Sequence, residues 1–166
     1  MESEDGMDER SKSAISTLNT LIETCEDGAK GFETAAEGLQ DNSAKALFTQ
    51  YARERAQCAE ELRAEVRRLG GNPEEGGSMS GAVHRGWMNI KSAIAGKSDS
   101  AIVAEAERGE DVAVQTYKTA IQADLPPDVQ PKIQRQFSQV RAAHDRVREL
   151  EKRYERDSSP QRSREF

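Results

Sequence analysis

Five residues interrupt apolar helical seams near the midpoints of predicted helices, and they are the ones able to do chemistry: Cys25, Arg55, Cys58, Glu110 and His144. Two thiols, one imidazole and one carboxylate are a donor set that suits a single zinc or iron ion. Two thiols alone make a redox pair, but a disulfide needs Cα atoms within about 7 Å. Packed helix axes lie about 8–10 Å apart, so that geometry is marginal. Arg55 favours a different outcome. A guanidinium is a permanent cation that cannot ligate metal, and it is a good partner for a buried carboxylate. The preferred expectation is therefore a buried polar layer of Cys25, Arg55, Cys58, Glu110, Arg141 and His144, with no catalytic residue and no cofactor. In it Arg55, or Arg141 turned inward, neutralises Glu110, His144 hydrogen-bonds Glu110, and the cysteines pack as small hydrophobes. The alternatives are one zinc or iron ion on Cys25, Cys58, Glu110 and His144, a Cys25–Cys58 redox pair, and a di-metal centre built from acids flanking the seams: Glu26, Glu33, Glu54 or Asp111.

These positions are held by four long helices. The first is predicted from Ser13 to Gly38, with a seam of Ile15, Leu18, Ile22, Cys25, Ala29, Phe32, Ala36 and Leu39 spaced alternately three and four residues apart. Gly28 and Gly31 lie inside it, and each costs up to about 1 kcal/mol relative to Ala, so a close neighbour is expected there. After a short turn, with Asp41 or Asn42 as cap, the second helix runs from Ser43 to Leu69 and stops at Gly70-Gly71-Asn72-Pro73. Asn72 to Gly77 reads as a flexible loop, and a shorter helix, Ser78 to Ala95, carries Val83, Trp87, Ile90 and Ile94 on one side. The third long helix runs from Asp99, with Ser98 or Asp99 as cap, to Asp124. The fourth runs from Asp128 to Tyr154 beyond Pro126-Pro127, with Val129, Ile133, Phe137, Val140, His144, Val147, Leu150 and Tyr154 in its seam. Residues 1–12 and 156–166 are polar and are expected to be a flexible N-terminus and a disordered tail around a 13–155 domain.

Two short hairpin turns and one long middle connection describe an all-α four-helix bundle with a short crossover helix between its second and third long helices. A weak internal duplication agrees: Cys25 precedes Phe32 as Glu110 precedes Tyr117, and Arg55-Ala-Gln-Cys58 resembles Arg141-Ala-Ala-His144. Counted from the turns at 1.5 Å per residue, the polar residues of each hairpin fall within about one helical turn of each other.

Composition sets the outer limits. With 35% hydrophobic and 33% charged residues and few aromatics, amphipathic helices fit and strand runs are missing. A net charge of -6 with interleaved bases argues against a nucleic-acid surface. No apolar run reaches the roughly 20 residues of a membrane span, and Met1 to Ser13 lacks the apolar stretch of a signal peptide. The default is a cytoplasmic protein with reduced thiols. His84-Arg85-Gly86-Trp87-Met88 lies in the crossover. Trp87 is expected to anchor that helix, with Trp87 and Arg85 as interface candidates in the other reading.

The stretches Leu21-Ile-Glu-Thr-Cys-Glu-Asp-Gly, Gly31-Phe-Glu-Thr-Ala-Ala-Glu, Arg53-Glu-Arg, Val83-His-Arg-Gly-Trp-Met, Glu107-Arg-Gly-Glu-Asp and Ala143-His-Asp-Arg-Val carry a family resemblance. Over roughly residues 13–155 the chain resembles a bacterial ferritin-like family of uncharacterised four-helix-cluster proteins. The resemblance implies a ferritin-like four-helix bundle of unknown function. Di-iron members of that architecture draw a Glu from each of two helices and Glu-x-x-His from the other two. Here Cys25, Arg55 with Cys58, Glu110, and Arg141 with His144 stand at those places, so the di-iron site is degenerate. The expected function is a non-catalytic stress or interaction protein with an unknown protein partner. A homodimer is the further expectation, by analogy with bundles that pair side by side.

Overall fold

The structure, a computed structural model, describes residues 9–75 and 82–158. Six helices account for most of them: α1 (Glu9–Gly38), α2 (Asn42–Arg68), α3 (Ala82–Gly86), α4 (Ile90–Ala95), α5 (Asp99–Ile121) and α6 (Gln130–Ser158). No strand occurs among the described residues. Helix α1 starts four residues before the predicted Ser13, and α6 continues past Tyr154 to Ser158. Both extensions are polar turns with nothing in the sequence to stop them, so apolar periodicity under-reads their length. The rest of the 1–12 and 156–166 expectations, the end of the 72–77 loop, Ser78 to Gly81 and the Val83 side chain lie outside what the structure describes.

The turns follow their capping chemistry. Asp41 accepts the Ala44 N–H at 2.9 Å and Ser98 accepts the Ala101 N–H at 3.2 Å, so of the alternative caps these two are used. Asp99 serves elsewhere: its carboxylate receives the N–H groups of Gln40 and Asp41, each at 2.9 Å. At the far end of α2, Gly70 takes φ 88°, with Gly70 N–H bonded to Arg67 O and Gly71 N–H to Val66 O. That is the Schellman pattern, and it needs a residue without a Cβ at the left-handed position.

The four long helices pack with each neighbour antiparallel. Cys25 meets Tyr117 across α1 and α5, Phe32 meets Phe48 and Tyr51 across α1 and α2, and Glu65 meets Lys132 across α2 and α6. The Asp99 clamp seats the start of α5 at the α1–α2 turn, whereas Gly71 lies against Ile15 at the opposite end. The connection from Leu69 to Ser98 therefore returns the chain along the length of the bundle.

That return is two short helices rather than the single one predicted over 78–95. Trp87-Met88-Asn89 breaks it, and Glu105 of α5 accepts the Asn89 N–H at 3.1 Å just before α4. Trp87 is 5% exposed and its indole lies where a Cβ at Gly31 or Gly109 would have to go. The two glycines let the ring wedge between α1 and α5. Trp87 thus anchors the connection and is not a surface interface residue; His84, Arg85, Met88 and Asn89 around it are exposed.

The core falls into two apolar clusters. One gathers Leu18, Leu21, Ile22, Leu62, Val66, Val129 and Ile133 around the Cys25–Cys58 level; the other gathers Phe32, Phe48, Trp87, Ile102, Val103 and Val147. Charged side chains lie between them.

Candidate functional site

Gly28, Arg55 and Glu110 occupy the boundary between the clusters. Arg55 (3% exposed) donates from Nη2 to Oε2 of Glu110 (0% exposed) at 2.5 Å. The guanidinium carbon sits 5.3 Å from the Phe32 ring centroid, and a Cβ at Gly28 would come within 2.8 Å of Nη1. The glycine in mid-helix therefore leaves room for the guanidinium. Burial disfavours the Arg55 charge, but Glu110 more than offsets it and holds the pKa above its usual value. The contact is a single one, because Arg55 Nη1 and Glu110 Oε1 have no hydrogen-bond partner among the described residues.

Beside this pair runs a hydrogen-bonded network. Tyr117 donates to Gln136 Oε1 at 2.7 Å, and Cys25 Sγ lies 3.1 Å from the Tyr117 hydroxyl. Gln136 Nε2 donates to Glu61 at 2.8 Å and to the Cys58 carbonyl at 3.4 Å. Both cysteines are buried and free of disulfide. Cys58 Sγ donates to Gln139 Oε1 at 3.7 Å, and the two thiols act on each other: the neighbouring Cys58 draws the Cys25 thiol below its ordinary pKa despite burial, and Cys25, followed by burial, drives Cys58 up. Burial, then the charges developing on Cys25 and Cys58, pushes Tyr117 well above its ordinary value. The cysteines are thus hydrogen-bonding members of the layer and not only small hydrophobes. Sequence reasoning missed Gln136, which is wholly buried. The seam can be read as Ile133, Gln136, Val140, Ala143, Val147 and Leu150 with the same alternating spacing, but a polar residue lost to the neighbouring Phe137, which is only half-buried.

Two members of the expected layer sit elsewhere. Arg141 is exposed, its guanidinium 5.9 Å from the Phe137 ring centroid, so it does not neutralise Glu110. One helix face cannot bury both Arg141 and Val140, and the apolar residue takes the core side. His144 is 9% exposed and does not reach Glu110. Its Nε2 lies 2.7 Å from Asp111 Oδ1, and its Nδ1 lies 3.1 Å from Asp145 Oδ1.

The structure therefore does not bring Cys25, Cys58, Glu110 and His144 together as one ligand set. Among the described residues, the thiols, imidazoles and carboxylates that converge in a set of three are Glu107, Asp111 and His144, their ligand atoms all within 4.8 Å of one another. Of the flanking acids singled out from the sequence, Asp111 joins that set. Glu26 pairs with Arg63, Glu54 accepts from Gln50 at 3.0 Å, and Glu33 is exposed. No helix among the described residues is long and apolar enough to cross a membrane.

Residues 13–123, more than half of the chain, match the family model described as a domain of unknown function (DUF2383). Comparison with curated proteins finds no match. The matched span covers α1 to α5 and stops short of α6, which supplies Gln136 and His144.

Proposed function

The chain belongs to the DUF2383 family, a domain of unknown function, and from that premise we propose a non-catalytic protein of ferritin-like architecture that works through its surface, as a stress or interaction protein. The one-crossover order of long helices supports the architecture, by analogy with other bundles of that topology. The observation that carries the functional reading is the Arg55–Glu110 ion pair between the two apolar clusters. Carboxylate-bridged bundles hold their metals with inward carboxylates at the level of facing helices. A permanent cation in that position repels a metal ion and occupies the carboxylate that would bridge it.

A thiol-redox role draws on one observation, that Cys25 and Cys58 are neighbours close enough to shift each other's pKa in opposite directions. Their burial, 0% and 3% exposed, opposes it by keeping oxidants away from both sulfurs.

The test is metal analysis of protein purified without chelators, comparing wild type with Arg55→Met/Glu110→Leu, Cys25→Ser and Cys58→Ser. The expected result is that none of these variants changes the metal content. Loss of a stoichiometric metal in any of them would overturn the reading.

A further inference from the structure

The geometry points to a divalent-cation site at the edge of the bundle, made by Glu107 and Asp111 of α5 with His144 of α6, and distinct from the buried Arg55–Glu110 pair. Glu107 and Asp111 are four residues apart on one helix, so their carboxylates lie on one face. His144 faces them from the antiparallel neighbour, and the three ligand atoms lie within 4.8 Å of one another. Donors held at about 2.0–2.2 Å from one ion lie no more than about 4.4 Å apart, so the trio needs only a small side-chain shift to close on it.

The orientation of the imidazole supports the assignment independently of the acids it faces. Asp145, outside the trio, lies 3.1 Å from Nδ1. With no cation bound, an N–H on Nε2 donates to Asp111; with the Nδ1 proton held by Asp145, a cation that displaces the Nε2 proton meets a lone pair directed between Asp111 and Glu107. A carboxylate behind the imidazole of a ligating histidine is the usual way its tautomer and ring angle are fixed. Asp111 is exposed and Glu107 half-exposed, which leaves the site open to solvent and room for water on the ion.

One imidazole and two carboxylates favour a borderline first-row ion such as Zn²⁺, Co²⁺ or Mn²⁺ over Mg²⁺, which prefers all-oxygen ligands and retains its waters. The three protein ligands and open positions match the pattern of a reactive or exchangeable site rather than a closed structural one.

The experiment is titration of the chelator-stripped full chain with Co²⁺, followed by its visible absorption, and with Zn²⁺ by calorimetry. The expected result is one equivalent bound per chain, with affinity reduced at least tenfold by Asp111→Asn, Glu107→Gln and His144→Gln and unchanged by Cys25→Ser and Arg55→Met/Glu110→Leu. Asp111 is exposed, so its variant tests the site even if His144→Gln fails to fold. Absence of binding, or binding indifferent to Asp111→Asn, would overturn the assignment. Binding lost on Cys25→Ser or Arg55→Met/Glu110→Leu but kept in Asp111→Asn would also overturn it, and would count against the metal-free core instead.

Discussion

At the scale of single residues, Arg55 and Glu110 define one another. Neither is tolerable alone in a dry interior, since an unpaired buried charge costs far more than a pair returns. Glu110→Ala should therefore destabilise the protein by about 3–5 kcal/mol, with Arg55→Ala similar. Arg55→Met/Glu110→Leu, which removes both charges and keeps the volume, should recover most of that loss. Urea denaturation of the three variants checks it, and a double variant as unstable as the sum of the singles would refute it. Gly28 belongs to the same unit, because its missing Cβ is where the guanidinium packs.

At the scale of elements, the docking of α3 and α4 depends on one indole and two glycines. Trp87 contacts Gly31 of α1, Gly109 of α5 and the Phe32 ring, whose centroid is 5.1 Å from its own. A methyl group at position 31 would fall inside the ring, and α1 and α5 are both too well packed to retreat. Gly31→Ala should cost about 1–3 kcal/mol, the range for overpacking a core site. The expected readout is a red shift of the fluorescence of the single tryptophan as it becomes exposed. Unchanged emission and stability would show that Trp87 is not wedged as described.

At the scale of the whole molecule, the α1–α2 and α5–α6 hairpins are joined by polar ties as well as apolar seams. Glu65 of α2 accepts from Lys132 of α6 at 3.0 Å and from Arg68 at 2.6 Å, and Glu61 accepts from Arg135 at 3.0 Å. Burial alone would raise both carboxyl groups. Hydrogen bonds from Arg68 and Lys132 for Glu65, and from Gln136 and Arg135 for Glu61, instead hold them below the ordinary 4.5. A carboxylate with a lowered folded-state pKa contributes stability that is complete above 4.5 and disappears as pH falls through the lower value. The stability gap between wild type and Glu65→Gln should therefore be open at pH 7 and close in acid, as read from urea midpoints at several pH values. A gap that widens in acid would reverse the sign and refute the account.

The alternating three-and-four spacing of Leu18, Ile22, Cys25 and Phe32, the glycines and prolines at the turns, and the long gap between the second and third long helices settled by themselves that the chain is helical and roughly where each long helix lies. They also marked Arg55 and Glu110 as inward, because a charge on an apolar seam needs a partner. Spacing could not choose between adjacent faces of α6, where Gln136 rather than Phe137 is buried and Arg141 faces solvent. Periodicity fixes a helix's apolar stripe only to within about one residue, and the neighbouring helices set its final rotation. Only the packed bundle decided that His144 turns to Asp111 and Glu107 instead of Glu110. That contact joins two helices, and its geometry depends on the rotation of both.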